Sequence, residues 1–137
     1  MKLVVDTNRI IAALVRDSYS RRIILSEKFE FATVEFGISE VKKHRNYILK
    51  KAKLSTEQFN DLMTRFLVRI EVLSEEEISA KAYADAVKIM GAIDKADVPF
   101  IALALGIKND GIWSDDGHFL KQKAVKVWRT KPLADKL

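Results

Sequence analysis

The chain has 137 residues, 48% of them hydrophobic and 31% charged, a balance that excludes a disordered segment and suits one core, so a single domain over 1–137 is expected. The absence of cysteine excludes disulfides and thiolate metal sites, and no apolar run approaches the roughly 20 residues of a bilayer span. Twenty-four Lys and Arg against 19 Asp and Glu leave a net charge of +5, mildly attractive to polyanions. With Asp6 interrupting the N-terminal apolar run before a signal-peptide core forms, a cytoplasmic protein without a membrane partner is expected.

In chain order, Lys2 to Val5 is a β-branched strand, and Asp6-Thr7-Asn8 offers cap chemistry ahead of Ile10, Ile11, Leu14 and Val15 at helical spacing. A second helix is expected around residues 18–27, and Phe29 to Val34 alternates as a strand. Gly37 reads as a break, leaving Glu35 in a loop, with a helix from Ser39 to about Lys51. Another helix opens at Ser55 and carries Phe59, Leu62, Met63 and Phe66. Val68 to Leu73 is the third strand candidate. Ser74 and Glu77 form a capping-box pattern ahead of Ile78, Ala82, Ala86, Ile89 and Met90, the clearest helix in the chain. Gly91 ends it, a loop runs through Asp94 and Asp97, and residues 98–105 form an almost wholly buried helix with Pro99 in its first turn. Gly111 to Ser114 and Ala124 to Trp128 are the last strands, separated by the turn Asp115-Asp116-Gly117 and a short helical stretch around Phe119. Five strands alternating with helices predict an α/β fold with a mainly parallel sheet covered on both faces.

Asp6, Glu40, Asp97 and Asp116 each fall where an apolar run gives way to a turn or a new helix. In a parallel α/β fold such positions meet at the edge of the sheet where ligands bind. Carboxylates gathered without basic partners resist ionising together unless a divalent cation lies between them, and an all-oxygen set favours Mg2+ or Mn2+. Each acid also has an ordinary explanation. Asp6 and Asp97 suit N-caps, Asp94 rivals Asp97, Glu40 has Lys43 and His44 as intrahelical neighbours, and Ser114-Asp115-Asp116-Gly117 is a sound turn. The functional reading rests on all four mapping to one end of the sheet. Asn8 and Ser114 are expected to steady ligands or water. Lys42, Lys43 and Arg45, in a basic stretch that continues through Lys50, Lys51 and Lys53, are candidates for following a nucleic-acid backbone. His44 and His118 read as exposed polar positions, and Trp113 and Trp128 as packing.

The motifs together resemble the PIN domain, the nuclease fold named from the PilT N-terminus. Val4-Val-Asp-Thr-Asn8 resembles its opening strand and first acid, Ile38-Ser-Glu-Val-Lys-Lys-His44 the helix bearing its second, and Asp97-Val-Pro-Phe-Ile-Ala-Leu-Ala104 its third. Ile112-Trp-Ser-Asp-Asp-Gly-His-Phe119 resembles the closing motif, a register that makes Asp116 the acid and Asp115 its variable neighbour. The likeness runs from residue 2 to about 128. It implies a three-layer α/β/α fold and an endoribonuclease that uses Mg2+ or Mn2+ held by Asp6, Glu40, Asp97 and Asp116. It also implies a protein that is often a homodimer and often, as in the VapC-like toxins, paired with an antitoxin. Its substrate would be RNA, single-stranded or looped, where phosphates and bases are accessible. Two positions depart from the family's pattern. Arg9 replaces a small or apolar residue and reads as a phosphate contact or an obstacle to the ion, and His118 replaces a frequent second aspartate.

Two other functions stand beside this one. A phosphatase or phosphoacceptor domain using Asp6 as nucleophile leaves Glu40 without a role and has Asn8 where a second aspartate is usual. A PIN-like scaffold in RNA processing would bind RNA or protein without cutting.

Overall fold

Lys2–Val5 (β1) lies at the centre of the sheet, because its alternating side chains are buried on both faces: Leu3 and Val5 join one core and Val4 the other. A computed structural model describes all residues, 1–137. From β1 the chain passes through Thr7–Val15 (α1) and Tyr19–Leu25 (α2) into Glu30–Val34 (β2). It continues through Glu35–Lys43 (α3), Arg45–Ala52 (α4) and Thr56–Arg69 (α5) to Ile70–Leu73 (β3). Ala80–Met90 (α6) and Val98–Gly106 (α7) then carry it across to Ile112–Trp113 (β4), followed by Val127–Trp128 (β5) and Thr130–Ala134 (α8).

The five strands are all parallel, in the order β3-β2-β1-β4-β5. The layers are α/β/α. On one face Ile10, Leu14, Ile23, Ile24, Ile48, Phe59, Phe66 and Leu133 pack on Leu3, Val5, Phe31 and Trp113. On the other, Ala86, Met90, Phe100, Ile101, Leu103 and Phe119 pack on Val4, Ala32, Val34 and Ile112. The wholly apolar α7 is buried, as its composition requires. Because the chain leaves β1 toward β2 on one side and returns as β4 on the other, the C-terminal ends of β1 and β4 flank the crevice where parallel α/β sheets take ligands.

Several local expectations change. Gly37 lies inside α3, which begins at Glu35 and stops at Lys43, so the expected 39–51 helix is two helices meeting at His44. A Cβ at Gly37 would sit 3.0 Å from Thr33 Oγ1 and 3.1 Å from the Phe100 ring, so the glycine serves close approach to β2 and α7 rather than a break. α5 runs on through Leu67 and Val68, whose side chains face solvent, and β3 starts only at Ile70. Glu77 does accept the Ser74 N–H at 2.7 Å, but the pair closes a single 3-10 turn over Glu75–Glu77, and Ser79 caps α6. The short α8, docked through buried Leu133, lies beyond the last expected element.

Candidate metal centre

Asp6 follows β1 directly and is buried, with Oδ1 accepting the Arg9 N–H at 3.0 Å as the N-cap of α1. Its Oδ2 accepts from the Ser114 hydroxyl, and Ser114 Oγ accepts the Asp116 N–H at 3.0 Å. The register pairing Val5 with Trp113 places Asp6 and Ser114 side by side at the ends of β1 and β4. Glu40 stands in the second turn of α3, after β2, and accepts from Lys43 Nζ at 3.0 Å.

Asp94 caps a 3-10 turn, Lys95–Asp97, through Oδ1, which accepts the Ala96 N–H at 2.9 Å. Asp97 ends that turn and precedes α7, yet its side chain makes no cap. Its Oδ2 is buried without a hydrogen-bond partner. Asp116 Oδ1 accepts the His118 N–H at 2.9 Å, starting a second 3-10 turn over Gly117–Lys121. Asp6, Glu40, Asp94, Asp97 and Asp116, with Asn8 and His44, line one cleft of about 190 Å3.

Electrostatics sharpen the picture. Burial pushes the Asp6 carboxyl up to about 6, against hydrogen bonds from Ser114 and Arg9 that favour its charge. Burial, followed by the carboxylates of Asp94, Asp116 and Asp6, pushes Asp97 up to about 7 despite the nearby His118. Two acids reluctant to ionise, one with an unpartnered oxygen, describe an anionic site short of positive charge. An orphaned buried carboxylate oxygen within an oxygen-rich donor set fits a hard divalent cation.

The cleft brings together the four principal acids, Asn8 and the rival Asp94, with Ser114 buried beneath. Asp115 turns elsewhere. Its Oδ2 pairs with Arg9 Nη1 at 2.8 Å and its oxygens take the Thr130 N–H and hydroxyl at 2.8 and 2.6 Å. Burial would raise its carboxyl, but the Thr130 hydrogen bonds and the Arg9 and Arg129 charges outweigh that and lower it. Arg9, expected to contact phosphate, donates instead to Ser20 Oγ and Thr130 Oγ1, both at 3.3 Å, and does not line the cleft. Lys42 and Lys43 are exposed at the end of α3, and Arg45 lies over the Phe59 ring at the start of α4. Both histidines stand closer to the site than their sequence positions suggest. His44 lines the cleft, and His118 Nδ1 faces Asp94 Oδ2 at 3.1 Å, Asp116 Oδ1 at 3.6 Å and Asp97 Oδ2 at 3.7 Å. The sequence signal for His118 is its place two residues after Asp116, where a tight turn folds it back.

Fold and site define a parallel α/β protein with a carboxylate cleft at the C-terminal edge of its sheet. The PIN domain family model matches residues 4–137, and the chain belongs to that family. A search of curated protein sequences finds no match. Among solved structures, the fold is similar to that of a chain in VapBC2 from Rickettsia felis bound to a DNA fragment from their promoter. The TM-score is 0.66 at 16% identity, over 94% of this chain and 98% of that one. No helix is long and apolar enough to cross a membrane.

Proposed function

We propose that residues 1–137 form one PIN domain acting as a metal-dependent endoribonuclease, with Asp6, Glu40, Asp97 and Asp116 holding Mg2+ or Mn2+. The observation that carries this is the convergence of four acids from distant parts of the chain on one cleft, where burial and mutual repulsion hold two of them partly protonated. A divalent ion bound there would supply Lewis acidity toward the phosphodiester and polarise an attacking water. Ser114 keeps the Asp6 carboxylate oriented from below, while the Arg9 N–H fixes its other oxygen. Asn8 stands at the cleft mouth with an amide suited to orienting water or a phosphate oxygen. No serine, cysteine or lysine nucleophile is required.

The substrate class is RNA, single-stranded or looped. The net charge of +5 supports a polyanionic partner, and Lys42, Lys43 and Arg45 offer cations next to the cleft-lining Glu40 and His44. Likeness in fold to a chain of VapBC2 supports a further reading, that the protein is the toxin of a type II toxin-antitoxin pair, in the cytoplasm, with an antitoxin and a second copy of itself as partners.

The test is cleavage of a looped RNA by purified protein in Mn2+, Mg2+ or EDTA, beside Asp6→Asn and Asp116→Asn. Cutting that needs the ion and disappears in both variants supports the nuclease. RNA binding with bound ion and no cutting would favour the scaffold instead.

A further inference from the structure

Of the two histidines at the site, His44 turns Nδ1 to the Glu40 carbonyl oxygen at 2.8 Å, whereas His118 places its Nδ1 among the carboxylates of Asp94, Asp97 and Asp116. It is held there rather than free to wander. Its backbone N–H donates to Asp116 Oδ1 at 2.9 Å, and the next residue, Phe119, is fully buried and anchors the turn. Nδ1 stands 3.1 Å from Asp94 Oδ2, 3.6 Å from Asp116 Oδ1 and 3.7 Å from Asp97 Oδ2. The donor atoms of Asp94, Asp97 and His118 all lie within 4.8 Å of one another.

A hydrogen bond accounts for only part of this. At 3.1 Å the ring can donate to Asp94, but 3.6 and 3.7 Å exceed hydrogen-bonding range, and Asp97 Oδ2 stays buried and unpartnered. Asp94 Oδ1 is already used by the Ala96 N–H, which leaves Oδ2 directed at the cluster. Donors bound to one ion at about 2.1 Å stand about 3 to 4 Å from each other, and the distances of His118 Nδ1 from Asp94, Asp116 and Asp97 fall in that range. Resting on the metal site proposed above, we infer that His118 Nδ1 is a direct ligand of the ion, beside Asp94 and Asp97, and that this nitrogen biases the site toward Mn2+ and later first-row ions over Mg2+. Magnesium prefers oxygen donors and gives up its waters reluctantly, whereas imidazole is a good ligand for the transition ions.

The test uses the whole protein loaded with Mn2+ alone, without RNA. Pulsed EPR of the bound Mn2+ should show coupling to a directly bound nitrogen, retained in His44→Gln and lost in His118→Gln. In calorimetric competition the preference for Mn2+ over Mg2+ should fall on the order of 10-fold or more in His118→Asp, with circular dichroism confirming the fold. Mn2+ that binds in an Asp97-dependent way without nitrogen coupling, or with coupling unchanged in His118→Gln, overturns the assignment and leaves the carboxylate site standing. Failure of the wild type to bind Mn2+ overturns both.

Discussion

The Ser114 hydroxyl donates to Asp6 Oδ2 and accepts the Asp116 N–H, so one buried serine couples two candidate metal-binding acids across the ends of β1 and β4. Ser114→Ala removes the donor that favours the charged form of Asp6 and leaves a buried carboxylate oxygen unsatisfied. The expected results are a loss of about 1–3 kcal/mol in denaturant melts at pH 8, a further rise in the Asp6 pKa, and weaker Mn2+ binding at neutral pH. Unchanged stability and affinity would show that the hydroxyl is incidental.

Asp97 should display a conflict between stability and function. Its Oδ2 is buried without a partner among three other carboxylates, so Asp97→Asn removes repulsion at almost constant shape. Thermal melts in EDTA at pH 8 should show the variant more stable than the wild type, while metal-dependent RNA cleavage falls by about 100-fold or more, the scale of an electrostatic group lost from the reacting centre. A variant that melts lower would mean that the charge is compensated by the protein itself.

The pH dependence of stability follows from the two raised carboxyls. Asp6 and Asp97 hold protons up to about 6 and 7 in the folded protein, against 3.8 ordinarily. Between those values the folded state binds more protons than the unfolded, so stability falls as pH rises. For deeply buried Asp6 alone, this is on the order of 3 kcal/mol. Asp115 acts oppositely: its lowered carboxyl contributes above 3.8 and is lost in acid. The ion-free protein should therefore have its highest Tm near pH 4, around the ordinary carboxyl value of 3.8, and lose stability as the pH rises through about 7. Saturating Mn2+, which requires ionised ligands, should remove or reverse that trend.

Arg9 and the basic residues of α3 and α4 should separate by phenotype. Arg9→Ala breaks a half-buried pair with Asp115 and frees the α8 side of the structure, with an expected loss of about 1–2 kcal/mol and no change in the salt dependence of RNA binding. Alanine at Lys42, Lys43 and Arg45 should leave the melt nearly unchanged but weaken RNA binding, and the log-log salt slope should fall by about one for each phosphate no longer neutralised. Filter binding at several salt concentrations distinguishes them.

The parallel sheet is legible in the sequence because short apolar runs alternate with helical patterns, and the four acids because each falls beside an apolar run, Asp6 and Asp116 after strands and Glu40 and Asp97 in or before helices. Local readings fail where tertiary packing decides. Gly37 looks like a helix breaker until Thr33 and Phe100 press against it. Val68 looks like the start of a strand until its side chain is seen facing solvent from the last turn of α5. At the site, local sequence leaves Asp94 and Asp97 as rivals because their difference is three-dimensional: one caps a turn while the other points an unpaired oxygen into the cleft. Arg9 is opaque for the same reason, since its partners Asp115 and Thr130 lie more than 100 residues away along the chain.

Carboxylate binding of the ion is tested by calorimetric titration of Mn2+ into the wild type and Asp97→Asn at about pH 5.5, between the ordinary carboxyl value of 3.8 and the raised values of about 6 and 7, repeated in buffers of different ionisation enthalpy. The wild type should bind saturably with release of protons from Asp6 and Asp97, and affinity should be weaker by roughly 10-fold or more in the variant. Absence of binding, or equal binding by both proteins without proton release, would contradict carboxylate binding of the ion.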